Sequence, residues 1–316
     1  MPKMSLVTII IPMRNESANI LALYNAVQKV VKTLKNYSFE YIFVDDGSTD
    51  DSASVVQKLS SKHAEVQLLQ LARNFGKEIA TTAGLHQARG DAAIMIDADL
   101  QHPPELIPEF LKRWQAGDDI VIGKQVPDAS YATFTKRTTS RWFYKLINRI
   151  STIQITPHAT DYRLLDRAVI DEFNRFTEHN RLTRGLIDWL GFSRSYIDFV
   201  PAKRLHGERS YSYRELTKLA TNSIVSLSLF PLRIAGYVGA LIVALSLPLF
   251  AFIVFDKLFN NNYFNFTGSA TLAVMLLFLV GVVLICQGLM ALYVAHIHSE
   301  VQNRPLYVQK RPRERT

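Results

Sequence analysis

Cysteine is all but missing: one residue among 316, Cys286, lies inside an apolar run. No intrachain disulfide and no cysteine-based zinc site can form from a single thiol, and Cys286 reads as a small apolar filler. Histidine is sparse, with 8 in the chain, and no pair has metal-ligand spacing. His102, His158 and His206 therefore read as hydrogen-bonding or solvated groups, and His296 and His298 as interface residues. Internal repeats and low-complexity linkers are absent. No secretory leader is expected either, because the apolar run Leu6 to Pro12 is short and gives way to Arg14-Asn15-Glu16, the pattern of a strand.

What is present divides into two materials. The mean hydropathy of +0.05 averages a polar first part with a very apolar stretch beginning near Ile234. Residues 234–255 are 22 without a charge and residues 271–294 another 24, each long enough to cross a hydrocarbon core of about 30 Å at about 1.5 Å per residue. A soluble buried helix rarely lacks a polar face over so many turns. The net charge of +8 would suit nucleic acid, an anionic membrane or a phosphate-rich substrate, and position separates them. Lys203, Arg204, Arg209, Arg214, Lys218 and Arg233 crowd before the first span; Arg304, Lys310, Arg311, Arg313 and Arg315 follow the second. This placement favours a membrane and no nucleic acid. Residues 137–150 and 213–230 have the pattern of amphipathic helices lying at the headgroups; an ordinary amphipathic helix packed on the sheet is the alternative for 137–150.

The first half alternates short β-rich runs with helical rhythm, the signature of a parallel sheet with crossover helices. Strands are expected at 6–11, 41–44, 66–71, 92–96 and 120–122, then near 162–165 and 195–200. Helices are expected at 18–34, after Asp50, near 167–174 and near 179–190. In a doubly wound sheet ligands bind beyond the carboxyl ends of the strands, and acids gather there. Tyr41-Ile42-Phe43-Val44-Asp45-Asp46-Gly47-Ser48 ends one strand, and Ala93-Ile94-Met95-Ile96-Asp97-Ala98-Asp99-Leu100-Gln101 ends another. Paired acids repel unless a cation or donors offset them. Asp-x-Asp with a following Gln offers oxygen ligands suited to Mg²⁺ or Mn²⁺, which can bridge to a nucleotide diphosphate. Arg89-Gly90-Asp91 is a turn before a strand.

Ile9-Ile10-Ile11-Pro12-Met13-Arg14-Asn15-Glu16, Val44-Asp45-Asp46-Gly47-Ser48, Arg73-Asn74-Phe75-Gly76-Lys77-Glu78 and Asp97-Ala98-Asp99-Leu100-Gln101, in this order and spacing, closely resemble the inverting family 2 glycosyltransferases of GT-A fold. Thr160-Asp161-Tyr162-Arg163-Leu164-Leu165-Asp166-Arg167, Arg204-Leu205-His206-Gly207 and the two apolar spans resemble the polyisoprenyl-phosphate branch related to dolichol-phosphate mannose synthase. The resemblance covers nearly the whole chain. It implies that Pro12, Asn15 and Glu16 line the nucleotide-sugar pocket, with Asp45 and Asp46 near base and ribose and Lys77 and Asp97 also in it. It puts a divalent metal, Mg²⁺ or Mn²⁺, on Asp97, Asp99 and Gln101, and catalytic positions at Asp99 and Asp161. Arg163 and Arg204 would hold phosphate oxygens, which a planar guanidinium binds bidentately. Two loops depart from the relatives' pattern: Gly123-Lys124-Gln125-Val126-Pro127-Asp128, where arginines are common, and Gly207-Glu208-Arg209-Ser210, where Gly-x-Ser/Thr-Lys is usual.

The expected organisation is thus an α/β, GT-A type, doubly wound, mostly parallel sheet in a cytoplasmic glycosyltransferase domain at 1–210. An interfacial juxtamembrane helix at 211–233, a two-helix transmembrane hairpin at 234–295 and a basic cytoplasmic tail at 296–316 follow. The partners implied are a nucleotide diphosphate sugar, a polyisoprenyl phosphate lipid and the membrane, and a homo-oligomer is compatible with them. The reaction expected is hexose transfer with inversion, glucose from UDP-glucose to undecaprenyl phosphate at the bacterial inner membrane. UDP-4-amino-arabinose derivatives, UDP-N-acetylhexosamines and GDP-mannose remain alternative donors. A noncatalytic membrane scaffold would not need the retained acids, and a processive synthase would need more spans and a Gln-x-x-Arg-Trp motif, neither of which is visible. The basic flanks and the nearly neutral loop 256–269 put both termini in the cytoplasm. With Cys286 replaced, a cysteine at Ser269 should therefore react in intact cells with an impermeant reagent while one at Ser5 should not; the opposite pattern would reverse the topology.

Overall fold

A computed structural model describes residues 4–126, 158–179, 181–201, 241, 255 and 268–310. The chain divides into two compact units. The first is an α/β unit that also takes in the chain from Arg304 onward; the second ends at Asn303. Arg204 and the stretches 137–150, 213–230 and nearly all of 234–255 lie outside the described residues, as do 127–128 and 207–210.

The α/β unit runs β1 (Ser5–Met13), α1 (Ile20–Val31), β2 (Tyr37–Asp45), α2 (Ser52–Ser60), β3 (Val66–Gln70), α3 (Lys77–Gln87), β4 (Ala92–Met95), a 3-10 turn (Pro104–Leu106), α4 (Ile107–Gln115), β5 (Ile120–Gln125), β6 (Ala159–Asp166), α5 (Arg167–Phe173), α6 (Thr183–Trp189) and β7 (Arg194–Phe199). The strands form one mixed seven-stranded sheet in the order β3-β2-β1-β4-β6-β5-β7. β1, β2, β3 and β4 are mutually parallel, as are β5 and β7. β6 runs antiparallel to both of its neighbours.

All strands expected from the sequence are present, several a residue or more longer. Their side chains alternate between two cores because successive residues of a strand face opposite ways. Ile9 and Ile11 face one core with α1 and α4, while Ile10 faces the other with α3 and α5. Helices α3 and α4 were not expected. α3 has little apolar rhythm: Lys77-Glu78-Ile79-Ala80-Thr81-Thr82-Ala83-Gly84-Leu85-His86-Gln87 packs through small residues, and its Thr81 and Thr82 hydroxyls bond back to the Lys77 and Glu78 carbonyls.

Small size is what α3 needs. A Cβ at Gly84 would lie 2.3 Å from Ile10 Cγ2 and 3.2 Å from Val44 Cγ2, so the helix sits directly on β1 and β2. In the second unit, α7 (Gly268–Val301) is one helix of 34 residues and contains the expected span 271–294. No Asp, Glu, Lys or Arg appears in it before Glu300. Among the described residues, no helix is long and apolar enough to cross a membrane.

Gly84→Ala should lower unfolding stability by about 1–3 kcal/mol through overpacking, even though alanine favours a helix by about 1 kcal/mol. Chemical unfolding of the two proteins checks it, and an unchanged or higher midpoint would refute the tight contact.

Candidate active site

The parallel strands β1, β2 and β4 end at the same edge of the sheet, and the loops beyond them meet there. Asn15, with φ +55°, lies in the left-handed region that Asn tolerates better than most residues. Its amide donates to Ser48 Oγ at 3.0 Å and its side-chain oxygen accepts from the Thr49 amide at 2.8 Å, which joins the β1 and β2 loops. Glu16 donates its amide to Ser52 Oγ at 2.8 Å and accepts from Asn19 Nδ2 at 2.6 Å. Pro12, partly buried, is opposite Val44.

Asp45 and Asp46 are buried, and their oxygens hold protein donors. Asp45 accepts from the Ser48 amide at 2.9 Å and from Gln70 Nε2 at 3.0 Å. Asp46 accepts from the amides of Phe75 at 2.7 Å and Gly76 at 2.9 Å. Burial pushes the Asp46 carboxyl above its usual range, although those two amides and Arg14 pull it down. The two acids build the turn and the loop that follows β3.

The second cluster forms because β6 is antiparallel. Met95 pairs with Arg163 and Ile94 with Leu164, so the start of β6 meets the end of β4 and Asp161 comes to the side of Asp97. Lys77, the first residue of α3, lies between them. Its Nζ is 2.7 and 2.8 Å from the two oxygens of Asp97 and 2.9 Å from Asp161 Oδ2. Arg184 of α6 reaches the other oxygen of Asp161 at 3.0 Å. Burial alone would raise the Asp161 carboxyl, but Lys77 and Arg184 outweigh it and hold it well below the carboxylate range. Partial burial likewise works against the charge of Lys77, yet the carboxylates of Asp97 and Asp161 keep the ammonium above its usual pKa.

Asp99 accepts from the Gln101 amide at 3.1 Å, and Leu100 between them has φ +61°. A bulky residue there costs about 1–3 kcal/mol and persists where the surroundings enforce it; Leu100 packs on the core. His102 does part of that enforcing. It is buried and stacks on Tyr162 with centroids 5.0 Å apart, and its Nδ1 accepts from the Asp97 amide at 3.2 Å. That bond assigns the proton to Nε2, and burial lowers the pKa of the ring. The hydrogen-bonding role expected of His102 is the one it plays.

Arg163 was expected to hold phosphate. Its side chain is 1% exposed and bonds to Asp188 Oδ1 at 3.1 Å and to the Thr160 carbonyl at 3.0 Å, while Nη2 has no hydrogen-bond partner. It lines a small cavity with Lys77, Asp161 and Arg184, close to the site but packed beneath it. Two features escaped the sequence reading: the bridging position of Lys77 and the contact from Arg184. Lys77 stood inside a recognised motif, but nothing local marks Arg184, which reaches Asp161 only through folding.

Among the described residues, no group of three or more His, Cys, Asp or Glu could hold a metal. Asp97, Asp99 and Gln101 carry oxygen donors of the type Mg²⁺ takes, with both Asp97 oxygens here on Lys77 Nζ.

The mixed seven-stranded sheet thus carries Asp-x-Asp beyond β4 and a further aspartate on the antiparallel β6 at one edge. Residues 8–173 match the family described as Glycosyl transferase family 2. The chain is 38% identical over 305 residues to the SfII prophage-derived bactoprenol glucosyl transferase of Shigella flexneri, covering 96% of this chain and 97% of that one. It is 37% identical over 309 residues to the bactoprenol glucosyl transferase of Shigella phage SfV, covering 98% and 99%. The mannosyl-3-phosphoglycerate synthase of Rubrobacter xylanophilus matches 69% of this chain and 71% of its own at 17% identity and a TM-score of 0.49. The chain belongs to glycosyl transferase family 2, and it is a transferase enzyme.

Because the folded pKa of Asp161 lies below its unfolded value of about 3.9, it stabilises the fold above that pH and loses the contribution as pH falls through the depressed value. Asp161→Asn should therefore be less stable than wild type at neutral pH and lose less on acidification below about pH 4. Unfolding midpoints against pH check this, and parallel curves would refute the ion pairing.

Proposed function

We propose that this enzyme transfers glucose from UDP-glucose to a polyisoprenyl phosphate, undecaprenyl phosphate in a bacterial cell, with inversion at the anomeric carbon. The observation that carries the reading is the end-to-end similarity to bactoprenol glucosyl transferases, which runs through the apolar last third of the chain. The 34-residue α7 and the charge-free stretch 234–255 support a two-helix membrane hairpin, and the basic flanks support a catalytic domain on the cytoplasmic face. The acceptor lipid would be met there.

In this reading Pro12, Asn15, Glu16, Asp45 and Asp46 form the nucleotide end of the pocket, the acidic pair acting through the loops they hold. Asp97 and Asp99 with Gln101 would hold a divalent cation, Mg²⁺ or Mn²⁺, which offsets the charge of the diphosphate. Lys77 balances the charges of Asp97 and Asp161, and Arg204 is assigned to the lipid phosphate. In the transfer a phosphate oxygen of the lipid bonds to the anomeric carbon as its bond to the UDP oxygen breaks, and UDP departs. A phosphate monoester has a second pKa of about 6 and is largely a dianion near neutral pH, so it can attack without losing a proton. Asp161, held ionised by Lys77 and Arg184, is a weak base suited to positioning those cations and a sugar hydroxyl.

Purified full-length enzyme in detergent, given undecaprenyl phosphate, Mg²⁺ and a panel of radiolabelled nucleotide sugars, should move label into lipid from UDP-glucose. Asp99→Asn or EDTA should reduce it by on the order of 10²-fold or more. Lipid labelling from another donor alone would overturn the donor, and full activity of Asp99→Asn in EDTA would overturn the metal assignment.

A further inference from the structure

β3 forms one edge of the sheet, and an edge strand presents unpaired backbone groups unless something covers them. The chain covers the end of this edge itself. Residues 304–310 return to the α/β unit, where Gln309 pairs antiparallel with Leu71. The Ala72 amide donates to the Val308 carbonyl at 2.8 Å, and the Lys310 amide donates to the Gln70 carbonyl at 2.8 Å. Tyr307 anchors the segment: its ring centroid is 5.9 Å from that of His86 on α3, its hydroxyl is 3.3 Å from His86 Nδ1, and it packs against the core that includes Leu71.

The stretch it pins is wired to the candidate site on both sides of Leu71. Before it, Gln70 holds the Asp45 carboxylate, and the Leu71 amide itself donates to the Asp45 carbonyl at 2.9 Å. After it, the chain reaches the Phe75 and Gly76 amides that hold Asp46, and then Lys77. Turn and loop are in close contact, since a Cβ on Gly47 would stand 2.6 Å from the Arg73 backbone carbon.

We infer that residues 304–310 are a positioning strap for the donor site: by fixing the backbone at Gln70 and Ala72 they hold the loop 72–77, and through it Asp45, Asp46 and Lys77, in the geometry that receives the nucleotide. The inference rests on the nucleotide reading of that pocket. The strap works through main-chain hydrogen bonds, as in the pairing of an extended segment with a sheet edge. Proline at 310 would delete the donor to Gln70, whereas alanine would keep it.

The test measures UDP affinity by calorimetry and the KM for lipid phosphate with full-length wild type, Lys310→Pro and Lys310→Ala in detergent with Mg²⁺. Losing one such bond should weaken UDP about fivefold in Lys310→Pro, leave the lipid KM unchanged, and leave Lys310→Ala within about twofold of wild type. Unchanged UDP affinity in the proline variant, or an equal loss in the alanine variant, would overturn the strap. Hydrogen exchange on the unmodified chain covers the case in which the proline variant does not fold. Saturating UDP should slow exchange at Lys310 together with Phe75 and Gly76; slowing at Phe75 and Gly76 alone would overturn the strap. Failure of the unmodified chain to bind UDP at all would overturn the nucleotide reading, and the strap's role with it.

Discussion

Carboxylates gathered at one edge of a sheet repel, and this molecule holds Asp97 and Asp161 side by side. Lys77 makes that possible: its ammonium lies within 2.9 Å of both, and Arg184 takes the remaining oxygen of Asp161. Asp161 is thereby held well below the usual carboxylate range, although burial by itself would raise it. The arrangement depends on one strand direction. A parallel β6 would carry Asp161 to the opposite edge of the sheet, away from Asp97.

Around that cluster the acids of the β2 turn serve as hubs for backbone and side-chain amides. Asp45 and Asp46 face inward and collect donors from Ser48, Gln70, Phe75 and Gly76. Such acids fix loops with charge-assisted hydrogen bonds, which are stronger than those between neutral groups. The same loop delivers Lys77, so the nucleotide side and the Asp97–Asp161 side share one length of chain. Its far end is tied by residues 304–310, which places residues more than two hundred positions apart in sequence in one mechanical unit.

Much of the fold was legible. β-rich runs between turn residues marked all seven strands, most clearly the central ones, which are buried on both faces and so largely apolar. α3 and α4 were not. α3 buries alanine, threonine and glycine against Ile10 and Val44, and a helix that packs closely through small residues leaves almost no hydrophobic rhythm. The family resemblance assigned Arg163 to phosphate oxygens; in the fold its buried side chain pairs with Asp188, a contact no local pattern announces.

The sequence by itself determined the family motifs, the apolar last third and the two acidic strand ends, because these follow from local pattern and from the spacing of residues along one strand. Tertiary structure alone decided which acids meet, which cation bridges them and what fastens the loop between them. Those outcomes depend on strand order and direction: the antiparallel register Met95 to Arg163 brings together residues more than sixty apart in the chain, and no local propensity encodes the direction in which a strand enters a sheet.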